Sequence, residues 1–142
     1  MEGWSVRDFL EAYRAGNLSP REALEELARK VEERESQLNA FVNLFLDEAL
    51  ERAAELGERP PEPVSALWGV PIAAKDNIAY AEHETTCASR ILLGYKPPYT
   101  ATALQRLLDA GAVLVGKTNL DEFAMGSTGE YSYFGPTSNP LD

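Results

Sequence analysis

Two short apolar runs, residues 68–74 and 112–116, carry no charge and are separated by a stretch of helical periodicity. This pattern constrains the chain more than any other. Trp68-Gly69-Val70-Pro71-Ile72-Ala73-Ala74 reads as a strand buried on both faces. Its Pro71 marks an edge position or a strand start, because proline cannot donate to a ladder. Residues 100–110 place Leu104, Leu107 and Leu108 inward on one helical face and close at Gly111. Ala112-Val113-Leu114-Val115-Gly116 follows at once as a second buried strand. Strand, helix and strand in that order imply a parallel, right-handed crossover unit.

The residues before this unit are more helical and more charged. Ser5 is an N-cap with Asp8 three residues on, Val6, Phe9, Leu10 and Tyr13 form a stripe, and Gly16 stops the helix. A second helix opens with Ser19 as N-cap, Pro20 at the first position and Glu22 completing a capping box. Its apolar residues are Ala23, Leu24, Leu27 and Val31. Residues 40–45 read as a strand, and Ala49, Leu50, Ala53 and Leu56 as a third helix ended by Gly57. Arg59-Pro60-Pro61-Glu62-Pro63 cannot continue a helix and reads as a linker or surface loop. Residues 126–140, rich in Gly, Ser, Thr, Asn and Tyr with no apolar period, read as one long loop. The expected fold class is α/β, with N-terminal helices followed by part of a mixed sheet flanked by helices. Residues 1–59 are expected to form a helical cap and residues 60–142 an α/β part.

At 142 residues the chain has the length of one domain or part of a larger one. Its 13 basic and 23 acidic groups give a net charge of −10, which argues against direct, non-specific binding to a nucleic-acid backbone. That balance leaves room for a complex whose other subunit holds the nucleic acid. One cysteine, Cys87, cannot form an internal disulfide, and one histidine, His83, cannot supply a metal cluster. No apolar run approaches the ~20 residues of a membrane helix, and the N-terminus lacks signal-peptide character. The expected location is the cytoplasm.

Few residues suggest chemistry. Lys75 ends the first apolar run, and either emerges into solvent or is held partly out of water as a base. An ordinary lysine ammonium keeps its proton to about pH 10, so a base role needs an environment that disfavours the charge. Apolar burial acts in that direction, and a nearby Asp76 would act against it. Met125-Gly126-Ser127-Thr128-Gly129 is either a plain turn or a loop whose small residues let backbone approach a ligand. Lys117-Thr118-Asn119 hints at phosphate contact but lacks a glycine-rich loop before it. Asp121 and Glu122 would diverge on a helix and read as solvated or capping residues. Cys87 and His83, lacking a third partner, read as structural.

The run Gly69-Val70-Pro71-Ile72-Ala73-Ala74-Lys75-Asp76-Asn77-Ile78 resembles the lysine-bearing segment of the amidase signature family. The run from Gly111 through Lys117-Thr118-Asn119-Leu120-Asp121-Glu122-Phe123-Ala124-Met125-Gly126-Ser127 is similarly characteristic, in the family's order and at about its spacing. Thr85-Thr86-Cys87-Ala88-Ser89-Arg90 and Phe134-Gly135-Pro136-Thr137-Ser138-Asn139-Pro140 narrow the likeness to the glutaminase (A) subunits of tRNA-dependent amidotransferases.

The resemblance implies amide hydrolysis by a Ser–cis-Ser–Lys triad on a mixed sheet surrounded by helices. Lys75 matches the catalytic lysine, and Met125 and Ser127 line the substrate pocket. The implied substrate is glutamine, whose ammonia passes to a partner that converts misacylated Glu-tRNA(Gln) or Asp-tRNA(Asn) to its amide. The implied partners are amidotransferase subunits B and C, with ATP and magnesium on a partner subunit, no cofactor in this chain, and tRNA held mainly by the partner. Lys75 is expected to face a concave site and to be turned from bulk solvent, with the 125–127 loop close by. Both catalytic serines are expected just beyond Asn139-Pro140, since none of the eight serines stands in a Gly-Gly-Ser-Ser-Gly-Gly-Ser context. The 142 residues therefore read as the N-terminal portion of a longer subunit, inactive alone. The alternatives are a stand-alone amidase for another amide, or a non-catalytic scaffold. The purified 142-residue chain is expected to release no ammonia from glutamine above a Lys75→Ala control. Lys75-dependent release would require a nucleophile among these residues.

Overall fold

Both capping boxes form. In the computed structural model, which describes residues 3–58 and 60–141, helix α1 (Val6–Ala15) starts at Ser5. Its hydroxyl accepts from the Asp8 N–H while the Asp8 carboxylate accepts from Ser5 N–H, and Gly16 closes the helix in the left-handed region. Helix α2 (Pro20–Leu38) starts in the same way at Ser19 and Glu22. Strand β1 (Phe41–Leu44) and helix α3 (Leu46–Leu56) follow. Arg59 of the proline-rich stretch lies outside the described residues, and residues 60–63 form a loop.

Strand β2 (Pro71–Lys75), helix α4 (Thr102–Asp109) and strand β3 (Val113–Thr118) make the crossover. The described sheet has the order β1-β3-β2: β3 pairs parallel with β2 and antiparallel with β1. The fold is a mixed α/β sheet with helices, as the sequence implies. Central β3 separates two cores. Val113 and Val115 pack with Leu24, Ala49 and Ala53 of α2 and α3, while Leu114 packs with Ala74 and Leu104 beside α4. Alternate residues of one strand thus feed opposite layers.

Three expectations are corrected. Strand β2 is not buried on both faces: Ala73 and Lys75 are exposed. It lies at an edge of the described sheet and begins at Pro71, which fits the missing N–H. Leu107 does not point inward but is 40% exposed, because α4 is short and its apolar face is only wide enough to bury Leu104 and half-bury Leu108. The second strand also runs two residues beyond Gly116, which places Lys117 inside the sheet.

A third core joins α1 to the approach to β2. Tyr13 is fully buried beside Ala23 and Trp68, and its hydroxyl donates to the Gly69 carbonyl at 3.1 Å. Burial pushes that hydroxyl well above its ordinary range. Gly69 has φ +71°, and a Cβ there would lie 2.6 Å from Pro20 Cγ. Tyr13→Phe, which strands the carbonyl, is expected to cost about 1–2 kcal/mol. Gly69→Ala combines a left-handed penalty with an unrelieved clash and should cost about 2–4 kcal/mol. Urea-unfolding midpoints of the two variants check that order.

Candidate active site

Parallel strands carry their ligands beyond their carboxyl ends, where the outgoing loops leave a crevice. Here β2 and β3 end together, with Lys75 opposite Thr118. The segments that leave from these ends, residues 76–89 and 119–138, hold most of the polar residues singled out in the sequence. Lys75 is exposed at the strand end, between buried Ala74 and buried Asp76. Its backbone is fixed on both sides while its amine reaches solvent.

Asp76 and Lys117 are both fully buried. Lys117 Nζ donates to Asp76 Oδ1 and to Thr85 Oγ1, each at 3.1 Å. The other carboxylate oxygen accepts from the Thr86 N–H at 3.0 Å and the Thr86 hydroxyl at 2.5 Å. Backbone bonds continue the network, from Asp76 N–H to the Thr118 carbonyl and from Cys87 N–H to the Asp76 carbonyl. One ion pair thus joins the end of β2, the body of β3 and the 85–89 turn. Burial pushes the Cys87 thiol up, Asp76 pushes it further, and Lys117 opposes both. Such a thiol is a poor nucleophile at neutral pH.

The turn beyond is held in an uncommon backbone state. Cys87 and Ala88 have φ +53° and +54°, and Phe123 and Ala124 have +54° and +59°. Such conformations in non-glycine residues persist only where their surroundings enforce them. The two pairs enforce each other: Phe123 N–H donates to the Cys87 carbonyl at 2.9 Å, and Tyr133 N–H to the Ala88 carbonyl at 3.0 Å. Ser89 donates to Glu122 Oε1 at 2.5 Å across the same junction.

Asp121 organises the far side. It is buried, so it is not solvated as the sequence allows; it caps backbone instead. Oδ2 accepts from the N–H groups of Thr128 and Gly129, both at 3.0 Å, and Oδ1 from that of Tyr131 at 2.8 Å. These N–H groups, Gly129 and Tyr131 foremost, hold its carboxyl below the usual carboxylate range against the opposing effect of burial. A Cβ on Gly126 would lie 2.6 Å from Asp121 Oδ2, so only glycine passes over the carboxylate. Further along, Asn39 Nδ2 donates to the Phe134 and Pro136 carbonyls, and Asn119 Nδ2 to those of Asn39 and Gly135. The long polar loop is pinned by side-chain amides.

The structure joins the loop carrying Met125 and Ser127 to the segment after Lys75 through Cys87 and Asp76. Met125 is 86% exposed and Ser127 is also exposed, as is Lys75, which is not turned from solvent in this chain. Lys117, read as a hint of phosphate contact, points inward to Asp76 and offers nothing to a ligand. His83 bonds Glu48 at 2.9 Å and stacks on Tyr80, a structural role. Sequence reasoning missed the Asp76–Lys117 pair, because a lysine that ends an apolar run looks the same whether it leaves the strand or stays in it.

The profile of the family described as Amidase matches residues 22–142. The chain is 49% identical to the A subunit of the mitochondrial glutamyl-tRNA(Gln) amidotransferase of Xenopus tropicalis, over 99% of this chain and 27% of that protein. It is 45% identical to the A subunit of the glutamyl-tRNA(Gln) amidotransferase of Sulfolobus acidocaldarius, over 96% of this chain and 28% of that protein. Among solved structures, the peptide amidase of Stenotrophomonas maltophilia superposes with TM-score 0.87 at 31% identity, over 99% of this chain and 31% of that one. The A subunit of the glutamyl-tRNA(Gln) amidotransferase of Thermotoga maritima gives TM-score 0.73 at 35% identity, over 99% of this chain and 28% of that one. The chain spans about 27% of the length of the curated relatives that it matches first.

Asp121→Asn should loosen the loop it caps. Because the carboxyl is held below its ordinary value near 3.8, its contribution to stability is complete above that pH and is lost as pH falls through the lower folded value. Hydrogen exchange of the Thr128, Gly129 and Tyr131 amides is expected to accelerate about tenfold or more in the variant at pH 6. Unchanged protection would remove the capping role.

Proposed function

The chain belongs to the amidase family, and from that premise we propose that it carries the lysine of a glutaminase that supplies ammonia to a tRNA-dependent amidotransferase. The observation that carries this reading is Lys75 at the carboxyl end of β2, within the Gly69-to-Ile78 motif, beside loops tied together at that same end. The identity to the A subunits of proteins named glutamyl-tRNA(Gln) amidotransferase, 40–49% over most or all of the chain, supports the choice of substrate class.

In this reading the neutral Lys75 amine takes a proton from a bridging serine. That serine takes one in turn from the nucleophilic serine as its oxygen attacks the glutamine side-chain amide carbon. Backbone N–H groups stabilise the oxyanion, the C–N bond breaks, and the proton returns to the departing ammonia. Water then attacks the acyl-enzyme ester and releases glutamate, with Lys75 again receiving and returning the proton. Both serines come from outside these 142 residues. Met125 and Ser127 line the substrate side. Subunits B and C complete the assembly, and the partner holds the misacylated tRNA. Among the described residues no group of three or more His, Cys, Asp or Glu could hold a metal. The proposal assigns ATP and magnesium to the partner, as the family resemblance implies, and no step in this chain uses them.

A second reading, a stand-alone amidase, is favoured by one observation. The peptide amidase superposes better than the Thermotoga amidotransferase chain, 0.87 against 0.73, although it is slightly less identical. Both readings use Lys75 in the same way and differ in the amide.

In the intact protein with its partners, Lys75→Ala is expected to lower glutamine-dependent ammonia release by about a thousandfold or more. Amidation of tRNA supplied with free ammonium should persist. Near-wild-type glutamine turnover in the variant would exclude the base role. A wild type that cleaves peptide amides but not glutamine would select the second reading.

A further inference from the structure

Residues 123–127 are all exposed, and Met125 shows 86% of its surface to solvent. Their side chains add little to any core, yet their backbone is fixed at a steric cost. Phe123 and Ala124 stand in the left-handed region, where glycine would sit without penalty. Met125 N–H then donates to the Glu122 carbonyl at 3.0 Å. Strain kept in a surface loop, with no packing in return, marks presentation of side chains rather than a need of folding. A flexible, polarizable methionine on a fixed backbone is suited to cover the apolar stem of a ligand.

What fixes this backbone is its contact with the turn that follows β2. The Glu122 carboxylate accepts from the hydroxyl of Ser89, a fully buried residue, at 2.5 Å. One residue on, Phe123 N–H donates to the Cys87 carbonyl at 2.9 Å. That turn is held in its place by Thr86, which donates twice to Asp76 at the end of β2. A continuous chain of bonds therefore runs from the end of β2 through Ser89 and Glu122 to the amide of Met125.

We propose that Glu122 is a positioning residue for Met125 and Ser127: by taking the Ser89 hydroxyl it locks their loop to the turn after β2 and so sets how tightly substrate is held. This rests on the reading that the 125–127 loop lines the substrate side. The tie acts on binding and not on proton transfer, so its loss should appear in KM before kcat.

Steady-state kinetics of the intact protein with its partners, on the amide that the wild type turns over, are measured together with hydrogen exchange of the Met125 amide. Glu122→Ala deletes the acceptor and keeps the backbone groups of residue 122. It should raise KM about tenfold with kcat within about threefold, and speed Met125 exchange about tenfold. Glu122→Gln keeps an oxygen for the Ser89 hydroxyl and should restore both readings. Ser89→Ala should match Glu122→Ala, and the double variant should be no worse than either single one. A fall in kcat at unchanged KM, following the loss of folded protein in urea and not rescued by Glu122→Gln, would overturn the proposal in favour of a structural role. Equal KM values in Glu122→Ala and Glu122→Gln, raised or not, would overturn it as well, and that comparison decides alone if Ser89→Ala does not fold. Faster exchange with KM unmoved would sink the substrate role of the 125–127 loop, whereas unmoved exchange would sink the tie itself. A wild type with no amide turnover would remove the proposed function on which both depend.

Discussion

The Asp76–Lys117 ion pair is the contact on which the carboxyl end of the sheet depends. Removing two charges from water costs several kcal/mol per ion, and only dense hydrogen bonding offsets it. Here Lys117 donates to Asp76 and Thr85, and Asp76 also accepts twice from Thr86. Deleting one partner would leave an unpaired buried charge, a loss of about 3–5 kcal/mol. That is a large part of the roughly 5–15 kcal/mol by which domains are stable. The loss would fall on the junction of β2, β3 and the 85–89 turn, because Asp76 also holds Thr118 and Cys87 through its backbone.

This junction explains how left-handed backbone survives at four non-glycine residues. Cys87 and Ala88 lie directly after Thr86, whose hydroxyl donates to Asp76 and accepts from Ala88 N–H. Phe123 and Ala124 lie directly after Asp121 and Glu122, whose carboxylates are committed to loop amides and to Ser89. Each strained pair is anchored by a carboxylate on its N-terminal side, and the two pairs are bonded to each other. These loops therefore take much of their order from electrostatics and satisfied amides.

The helices and the crossover were legible because local chemistry decides them. Ser5 with Asp8, Ser19 with Glu22, Pro20 and the glycines at 16 and 57 act within a turn of themselves. The reach of β3 was not legible, since Gly116-Lys117-Thr118 has neither apolar period nor β-branched density, and its strand state depends on partners at residues 41–44 and 71–75. Burial of β2 was overestimated for a related reason: composition reports apolarity, whereas the exposure of Ala73 follows from an edge position in the sheet. At the site, Lys75 and the 125–127 loop were visible as motif residues. Their connection was not, because it runs through contacts 33 to 41 residues apart, such as Ser89–Glu122 and Asp76–Lys117.

Two aspartates near the strand ends are buried by different means. Asp121 is held by N–H dipoles, among them those of Thr128, Gly129 and Tyr131, and its negative charge is spread over them. Asp76 is matched by a full cation, so the ion pair adds no net charge to the interior. The turn after β2 therefore depends on a cation that β3 supplies, whereas the 126–131 loop closes on its own amides.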